Sequence, residues 1–282
     1  MQKVIVILGQ TATGKSDLAV KLAKQFGGEI ISADSRQVYK GLDIGTGKIT
    51  KREMKGVPHH LLDVASPKKK FTVQEYQKLA EDAMEKIVQK GNLPIICGGT
   101  GFYIDAITKG IVFPEVPPNY PLRKKLATKS DRALLLLLKK LDPERAKTID
   151  PRNKVRLIRA IEIAKALGKV PKITEATPPY KFIKIGISLP GEKLKEKIET
   201  RVKKMFKAGL LNEIKKLKKA GVTQKRLQEF GFEYHKPTQQ IVIQKTIRYA
   251  KRQMTWFKRD KEIKWFEPTQ YKRIEKYIQN KL

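Results

Sequence analysis

Two short runs in this chain concentrate residues able to handle phosphate and protons. Gly9-Gln10-Thr11-Ala12-Thr13-Gly14-Lys15-Ser16 fits the pattern G-x-x-x-x-G-K-[ST]. In such a loop the main-chain N–H groups and the start of the following helix attract phosphate oxygens. Lys15 adds a point charge, and the Ser16 hydroxyl is placed to ligate Mg²⁺. The loop alone leaves open whether a phosphate is transferred or discarded. The second run, "ISADSRQVYKGLDIGTGK" at 31–48, carries Asp34, Ser35, Arg36, Gln37 and Tyr39. An acid, a guanidinium and an amide in one loop suit the hydrogen-bonding edge of a purine and removal of one of its protons, and Tyr39 has a ring that can stack. In "PIICGGTGFY" an apolar strand runs into Gly98-Gly99, which leaves room for a substrate to approach, and Thr100 follows with a hydroxyl.

Other chemistry-bearing residues carry less. His59 and His60 are adjacent, with no Cys or carboxylate at ligand spacing, so a structural or substrate-lining role is expected. Cys97 is the single cysteine; it excludes an intramolecular disulfide and a cysteine zinc site, and it is expected in the core.

The elements that must position these residues follow from hydrophobic periodicity. Strand-like runs at 4–8, 29–32 and 93–97 alternate with helical patterns at 15–25 and 73–89, which is the pattern of a parallel α/β sheet. Thr72 and Glu75 form a capping-box pair, and Val73, Tyr76, Ala80, Ala83 and Ile87 share a face behind them. Near Phe113 the texture changes to "FPEVPPNYPLRKK". Amphipathic helices are then expected at 126–141 and 153–167, and a second proline-rich stretch leads to a strand-like run at 183–189. The fold class expected is α/β, a P-loop NTPase-like core with a parallel sheet at 1–113 and 185–282, plus a helical insertion domain at 114–184. The region from Glu192 to Leu282 reads as helical and basic.

The chain has 282 residues, 40% of them apolar, which is enough for a substantial core. Its 61 Lys and Arg against 28 Asp and Glu give a formal charge of +33. Heat adaptation adds charges of both signs, and here the acids lag, so a polyanion is the expected partner, nucleic acid before others. A soluble cytoplasmic protein is expected, since no apolar run approaches a membrane span and the run at 4–8 leads directly into the phosphate loop.

The runs "GQTATGKS", "DSRQVYKGLDIGTGK", "GVPHHLLD", "GGTGFY", "NKVRLIRAIEI" and "AKRQMTWFKR" occur in the order and spacing of the tRNA dimethylallyltransferases, the bacterial-type tRNA isopentenyltransferases, and the resemblance covers essentially the whole chain. It implies that the phosphate loop, Gly9 to Ser16, holds dimethylallyl diphosphate with Mg²⁺ on Ser16, and that N6 of adenosine 37 in tRNA attacks the allylic carbon. Pyrophosphate is then the leaving group. By the same resemblance Asp34 is the general base, Thr100 lies beside the adenosine, and Arg201 approaches the diphosphate. The anticodon stem-loop is implied to be touched by Asp34, Ser35, Arg36, Gln37, Thr100 and Arg123. The same holds for Val155, Arg156, Leu157, Ile158 and Arg159, and for Gln228, Glu229, Phe230, Gly231, Phe232 and Glu233. Phe230-Gly231-Phe232-Glu233-Tyr234 departs from the family's Ile-Gly-Tyr-Lys/Arg-Glu-like run and loses a basic contact there, for which Tyr234 or His235 can compensate.

On a helix, "TIRYAKRQMTWFKRD" puts Ile247, Ala250, Met254 and Phe257 on one face and Arg248, Lys251, Arg252 and Arg259 on another, a basic stripe suited to RNA phosphates. The competing readings are a small-molecule P-loop kinase, an RNA-binding protein with a vestigial nucleotide site, and an isopentenyltransferase acting on free adenine nucleotides. The large positive charge, the intact Lys15, Ser16 and Asp34, and the basic C-terminal region favour the tRNA enzyme, acting as a monomer. ATP has no use in that mechanism, although the loop alone would earn a nucleotide-binding label.

Overall fold

The structure is a computed structural model that describes residues 1–282. In chain order the first half contains β1 (Gln2–Gly9), α1 (Lys15–Phe26), β2 (Gly28–Ala33), α2 (Lys51–Met54), β3 (His59–His60), α3 (Val73–Gln89), β4 (Leu93–Gly98), α4 (Gly101–Thr108), β5 (Ile111–Val112) and α5 (Tyr120–Ala127). There follow α6 (Asp131–Leu141), α7 (Pro143–Thr148), α8 (Lys154–Leu167), β6 (Thr174–Glu175), β7 (Tyr180–Ile187), α9 (Gly191–Lys207), α10 (Leu210–Lys219), α11 (Gln224–Phe230), α12 (Gln239–Phe257), β8 (Lys264–Phe266) and α13 (Tyr271–Gln279). The chain divides into two compact units, Met1–Gly110 with Thr177–Leu282, and Ile111–Ala176.

The first unit is an α/β layer structure around a six-stranded sheet of order β3-β2-β4-β1-β7-β8, parallel at every pairing. Parallel sheets are covered on both faces, and β1 shows the consequence. Val4, Val6 and Leu8 point into one core with α3, α4 and α10, while Ile5 and Ile7 point into the other with α1 and α13. Cys97 is buried in the second of these cores. The capping box at Thr72 forms in full, and Tyr76, Ala80, Ala83 and Ile87 are buried behind it. Because the strands are parallel, the loops after β1, β2 and β4 leave the same edge of the sheet.

Two expectations need correction in this unit. The strand that returns the chain to the sheet starts at Tyr180, so the boundary expected at 184 falls inside β7. The C-terminal region is not helical throughout, since Lys264–Phe266 adds the edge strand β8 beside β7. Three residues are too short to show a period of two, which is why no strand was expected there.

The second unit packs α5, α6 and α8 around Leu126, Leu134, Leu138, Leu157 and Ile161, with β5 and β6 paired antiparallel. The helix expected over 126–141 is broken: α5 ends at Ala127, and Ser130 caps α6 by accepting from the Ala133 N–H at 3.2 Å. A serine favours an N-cap over a helix interior because its hydroxyl competes for main-chain N–H groups.

Candidate active site

The loop after β1 is built to receive an anion. Gly14, at the N-cap of α1, takes a left-handed φ of 83° and supplies no side-chain cap, so the first N–H groups of α1 remain free of a capping acceptor. Lys15 Nζ donates to the Gln10 carbonyl at 2.5 Å, and Thr13 Oγ1 donates to the same carbonyl at 2.9 Å. Gln10 Oε1 is buried with no hydrogen-bond partner. From α9, Arg201 donates to Thr11 Oγ1 at 3.1 Å and to the Thr46 carbonyl at 2.9 Å. Neither Lys15 nor Arg201 has a carboxylate at ion-pair distance. Burial pulls the Lys15 ammonium down to about 8; Cys97 and Asp34 act against that shift and Arg201 adds to it. Two half-buried cations with only neutral hydrogen-bond partners, at the N-terminus of a helix, make a site for a di-anion or larger.

The loop after β2 faces the same edge. Asp34 Oδ1 accepts from the N–H groups of Arg36 at 2.8 Å and Gln37 at 3.3 Å, an Asx turn that fixes the carboxylate and leaves Oδ2 unused. The charge of Asp34 reaches both Lys15 and Arg201. Thr100 stands at the N-cap of α4, where a threonine ordinarily caps its own helix, but no such bond forms. Its Oγ1 instead accepts the Ser35 N–H at 3.0 Å, joining the loop after β4 to the loop after β2. Asp34, Ser35, Arg36, Gln37 and Thr100 are all half-buried.

The rest of the 31–48 run is held from a distance. Glu213 on α10 is buried, and its carboxylate accepts from three successive N–H groups, Asp43 at 3.0 Å, Ile44 at 2.6 Å and Gly45 at 3.1 Å, and from the Tyr234 hydroxyl at 2.9 Å. Lys48 bridges Asp43 and Asp63, each at 2.6 Å, and donates to the Tyr39 carbonyl. Tyr39 itself is only 3% exposed, packed against Phe230 and under the Arg226 guanidinium, so it does not stack on a substrate base.

Matching of the chain to known proteins decides the family: the model of the family described as "IPP transferase" matches residues 37–260. The chain belongs to the IPP transferase family. A tRNA dimethylallyltransferase from Caldanaerobacter subterraneus subsp. tengcongensis is 41% identical to this IPP transferase family member, over 99% of this chain and 96% of the relative. Among solved structures, a tRNA delta(2)-isopentenylpyrophosphate transferase from Staphylococcus epidermidis is 33% identical, with a TM-score of 0.72 and full coverage of both chains. A eukaryotic dimethylallyltransferase described as acting on tRNA is 26% identical with a TM-score of 0.73, covering 91% of this chain and 70% of that one.

Within this IPP transferase fold, the residues that sequence reading assigned to RNA fall into distinct environments. Val155 and Arg156 on α8 are exposed, as is Gln228 on α11, and Arg248, Lys251 and Arg252 lie exposed on α12. Leu157 and Phe230, expected to touch RNA, are closed off from it: at 0% and 1% exposure they belong to the cores of their units. Ile158 is half-buried against the same core as Leu157. Arg123 and Arg159 are committed to Glu162. Arg123 grips it with two bonds of 2.8 and 2.7 Å, while Arg159 pairs with it and also donates to the Val116 carbonyl. Glu229 pairs with Arg226 and Lys70. Gly231 and Phe232 are half-buried, and so is Glu233, whose carboxyl burial raises to about 7 although Arg36 and Arg201 oppose it. His60 is paired with the buried Glu29, and His59 is bonded to the Val57 carbonyl, which gives both histidines local partners.

The inward face of α12 also differs from expectation. Ala250 and Phe257 are buried as expected, but Met254 and Ile247 only partly, and Gln253 takes a place on the buried face. Sequence reading passed over both Gln253 and Glu213 because each looks like an ordinary polar residue on an amphipathic helix.

Proposed function

We propose that this chain transfers the dimethylallyl group of dimethylallyl diphosphate to N6 of adenosine 37 in tRNA, working as a monomer in the cytoplasm. The observation that carries the reading is the pairing at one sheet edge of two half-buried cations without an ion-pair partner, Lys15 and Arg201, with the fixed carboxylate of Asp34. No helix is long and apolar enough to cross a membrane.

The loop Gly9, Gln10, Thr11, Ala12, Thr13, Gly14, Lys15 and Ser16 and the Arg201 guanidinium hold the diphosphate. Their charge and N–H dipoles oppose the negative charge that grows on the leaving oxygen as the allylic C–O bond breaks. N6 of adenine is a weak nucleophile because its lone pair is delocalised into the ring. As its bond to the allylic carbon forms, its proton passes to Asp34 Oδ2, the oxygen not engaged in the Asx turn, and pyrophosphate leaves with the electron pair. Thr100 and Ser35, bonded to each other, line the adenosine side. Mg²⁺ fits this donor set as an ion brought in with the substrate. Ser16 offers one exposed hydroxyl on the first turn of α1, and no trio of His, Cys, Asp or Glu stands ready to hold a metal alone. Bound there, Mg²⁺ would neutralise charge on the departing diphosphate.

The RNA would lie on Ser35, Arg36 and Gln37 at the site and on the exposed cations of α12, with the exposed Gln228 and half-buried Glu233 as further contacts; in the helical unit the exposed candidates are Val155 and Arg156.

The deciding experiment incubates the protein with unmodified tRNA, dimethylallyl diphosphate and Mg²⁺ and weighs the digested nucleosides. One adenosine is expected to gain a dimethylallyl group; unmodified nucleosides, with phosphate transferred from ATP to a small acceptor, would establish the kinase reading instead. Asp34→Asn keeps an oxygen for the Asx turn but removes the base. Single-turnover transfer should fall by about two orders of magnitude or more while pyrophosphate affinity is retained, and a near-normal rate would remove Asp34 from the chemistry.

A further inference from the structure

Gln253 is 6% exposed, in the middle of α12, and makes two bonds to main-chain groups of two different loops. Its Oε1 accepts the Thr11 N–H at 2.8 Å, and its Nε2 donates to the Gly99 carbonyl at 2.8 Å. The orientation of the amide is fixed by its partners, since a main-chain N–H must face oxygen and a carbonyl must face the NH₂ group. Thr11 lies in the phosphate loop after β1, and Gly99 immediately precedes Thr100 in the loop after β4, the neighbouring strand. A side chain at 99 would put Cβ 2.3 Å from Gln253 Nε2, so the glycine is what lets the amide reach the main chain there. One turn on, Trp256 Nε1 donates to Asp105 Oδ2 at 3.1 Å and secures the same helix to α4.

We infer that Gln253 is a positioning residue for the transfer, a single buried amide that sets the spacing between the loop holding the leaving group and the loop lining the acceptor. The inference rests on the function proposed above. Each loop keeps its own ligand-binding groups without Gln253: Lys15, Arg201 and the helix N-terminus on one side, Ser35, Thr100 and Asp34 on the other. What the amide adds is the separation between them, and displacement of reacting groups by about 1 Å costs on the order of a hundredfold in rate. Removing it should therefore leave each substrate's affinity nearly unchanged and slow the step that joins them.

Gln253→Met keeps length and volume and is neutral, but removes both hydrogen bonds. With the parent enzyme active on tRNA, the expected result is inorganic pyrophosphate and tRNA dissociation constants, measured separately, each within about threefold of parent. The single-turnover rate at saturation with both substrates should fall by about thirtyfold to a hundredfold. Gly99→Ala, which pushes on the same amide from the main-chain side, should reproduce the split, and Gln253→Glu should not rescue it, because a carboxylate cannot donate to the Gly99 carbonyl. A saturated rate within threefold of parent in a folded Gln253→Met protein overturns the proposal, as does an effect confined to the dissociation constants. Failure of Gln253→Met and Gly99→Ala to fold would assign the amide to stability and overturn it equally. A parent that leaves tRNA unmodified sinks the functional reading itself, an outcome distinct from an active parent with an equally active variant.

Discussion

The phosphate-loop edge of the sheet and the helical unit treat half-buried cations in opposite ways. At the sheet edge Lys15 and Arg201 are bonded only to carbonyls and a hydroxyl, with no carboxylate in ion-pair reach. In the helical unit Arg123 and Arg159 converge on Glu162, which is 2% exposed and also accepts the Asn119 N–H at 2.6 Å. The shifts follow. Burial holds Lys15 down at about 8, whereas Glu162, despite its burial, is drawn to about 2 by bonds from Arg123 and Arg159. A buried charge without a counter-charge is costly, and folding retains it only where a ligand supplies the missing sign or other contacts outweigh the cost. Uncompensated cations therefore mark the anion site, and compensated ones mark architecture.

Substitution of one cation from each unit should give crossed results, and this is the largest effect expected. Arg123→Ala leaves Glu162 buried with one guanidinium fewer, so stability of the helical unit should fall by about 3 kcal/mol, read by urea denaturation, with pyrophosphate affinity unchanged. Lys15→Met should do the reverse. A charge-assisted bond to phosphate is worth about 1.5 to 3 kcal/mol, so pyrophosphate affinity should fall by about tenfold to a hundredfold, while the unfolding midpoint holds or rises. Parallel losses in both assays for both variants would erase the distinction between the units.

The same contrast sets two pH dependences of opposite sense. Pyrophosphate needs Lys15 charged, so above about 8 binding must draw in a proton, and the dissociation constant should climb toward tenfold per pH unit. Stability of the free protein moves the other way. With its folded pKa below that of the unfolded chain, Lys15 destabilises fully below about 8, and the penalty fades as pH rises toward the ordinary lysine value of 10.5. Glu162 stabilises above the ordinary carboxylate value of 4.5, and its contribution is lost as pH falls toward about 2. A pyrophosphate titration from pH 6 to about 10 tests the first trend, and a limb that survives in Lys15→Met would assign it to another group.

Much of this was legible in the sequence because its signals are short-range. Glu75 and Thr72 form their capping box across three residues, and Lys15 and Ser16 directly follow Gly14. The missed residues act across the chain. Gln253 meets Thr11 at a separation of 242 residues, and Glu213 meets Ile44 at 169, and nothing in a local pattern distinguishes such a glutamine or glutamate from one facing solvent. The arginines of α8 illustrate the same limit from the other side. Arg156 and Arg159 are alike in sequence, yet one is exposed and the other is tied to Glu162, because helical spacing of three places Arg159 beside residue 162. The family resemblance located the segment, and only the packing separated its members.

A third class of cation completes the contrast and gives the smallest expected effect. Arg248, Lys251, Arg252 and Arg259 on and just beyond α12 are exposed and form no ion pair; Arg252 lies 5.7 Å from the Tyr249 ring and Arg259 5.7 Å from the Trp256 ring. They are neither buried for an anion nor neutralised by an acid, which in a chain of formal charge +33 suits either RNA phosphates or plain solvation. If RNA phosphates lie along them, Arg248→Ala with Arg252→Ala should weaken binding of modified and unmodified tRNA alike. The slope of log affinity against log salt should flatten by about 0.7 per lost contact for single-stranded phosphates, and by more for the stem. Transfer on saturating tRNA should survive, because these side chains position the backbone and do not touch the reacting base. Solvation alone predicts an unchanged slope. A salt titration of the double variant beside the parent separates the two, and an unchanged slope with unchanged affinity would move the RNA clamp to Val155, Arg156 and Gln228 and leave α12 with the single task that Gln253 performs from its buried face.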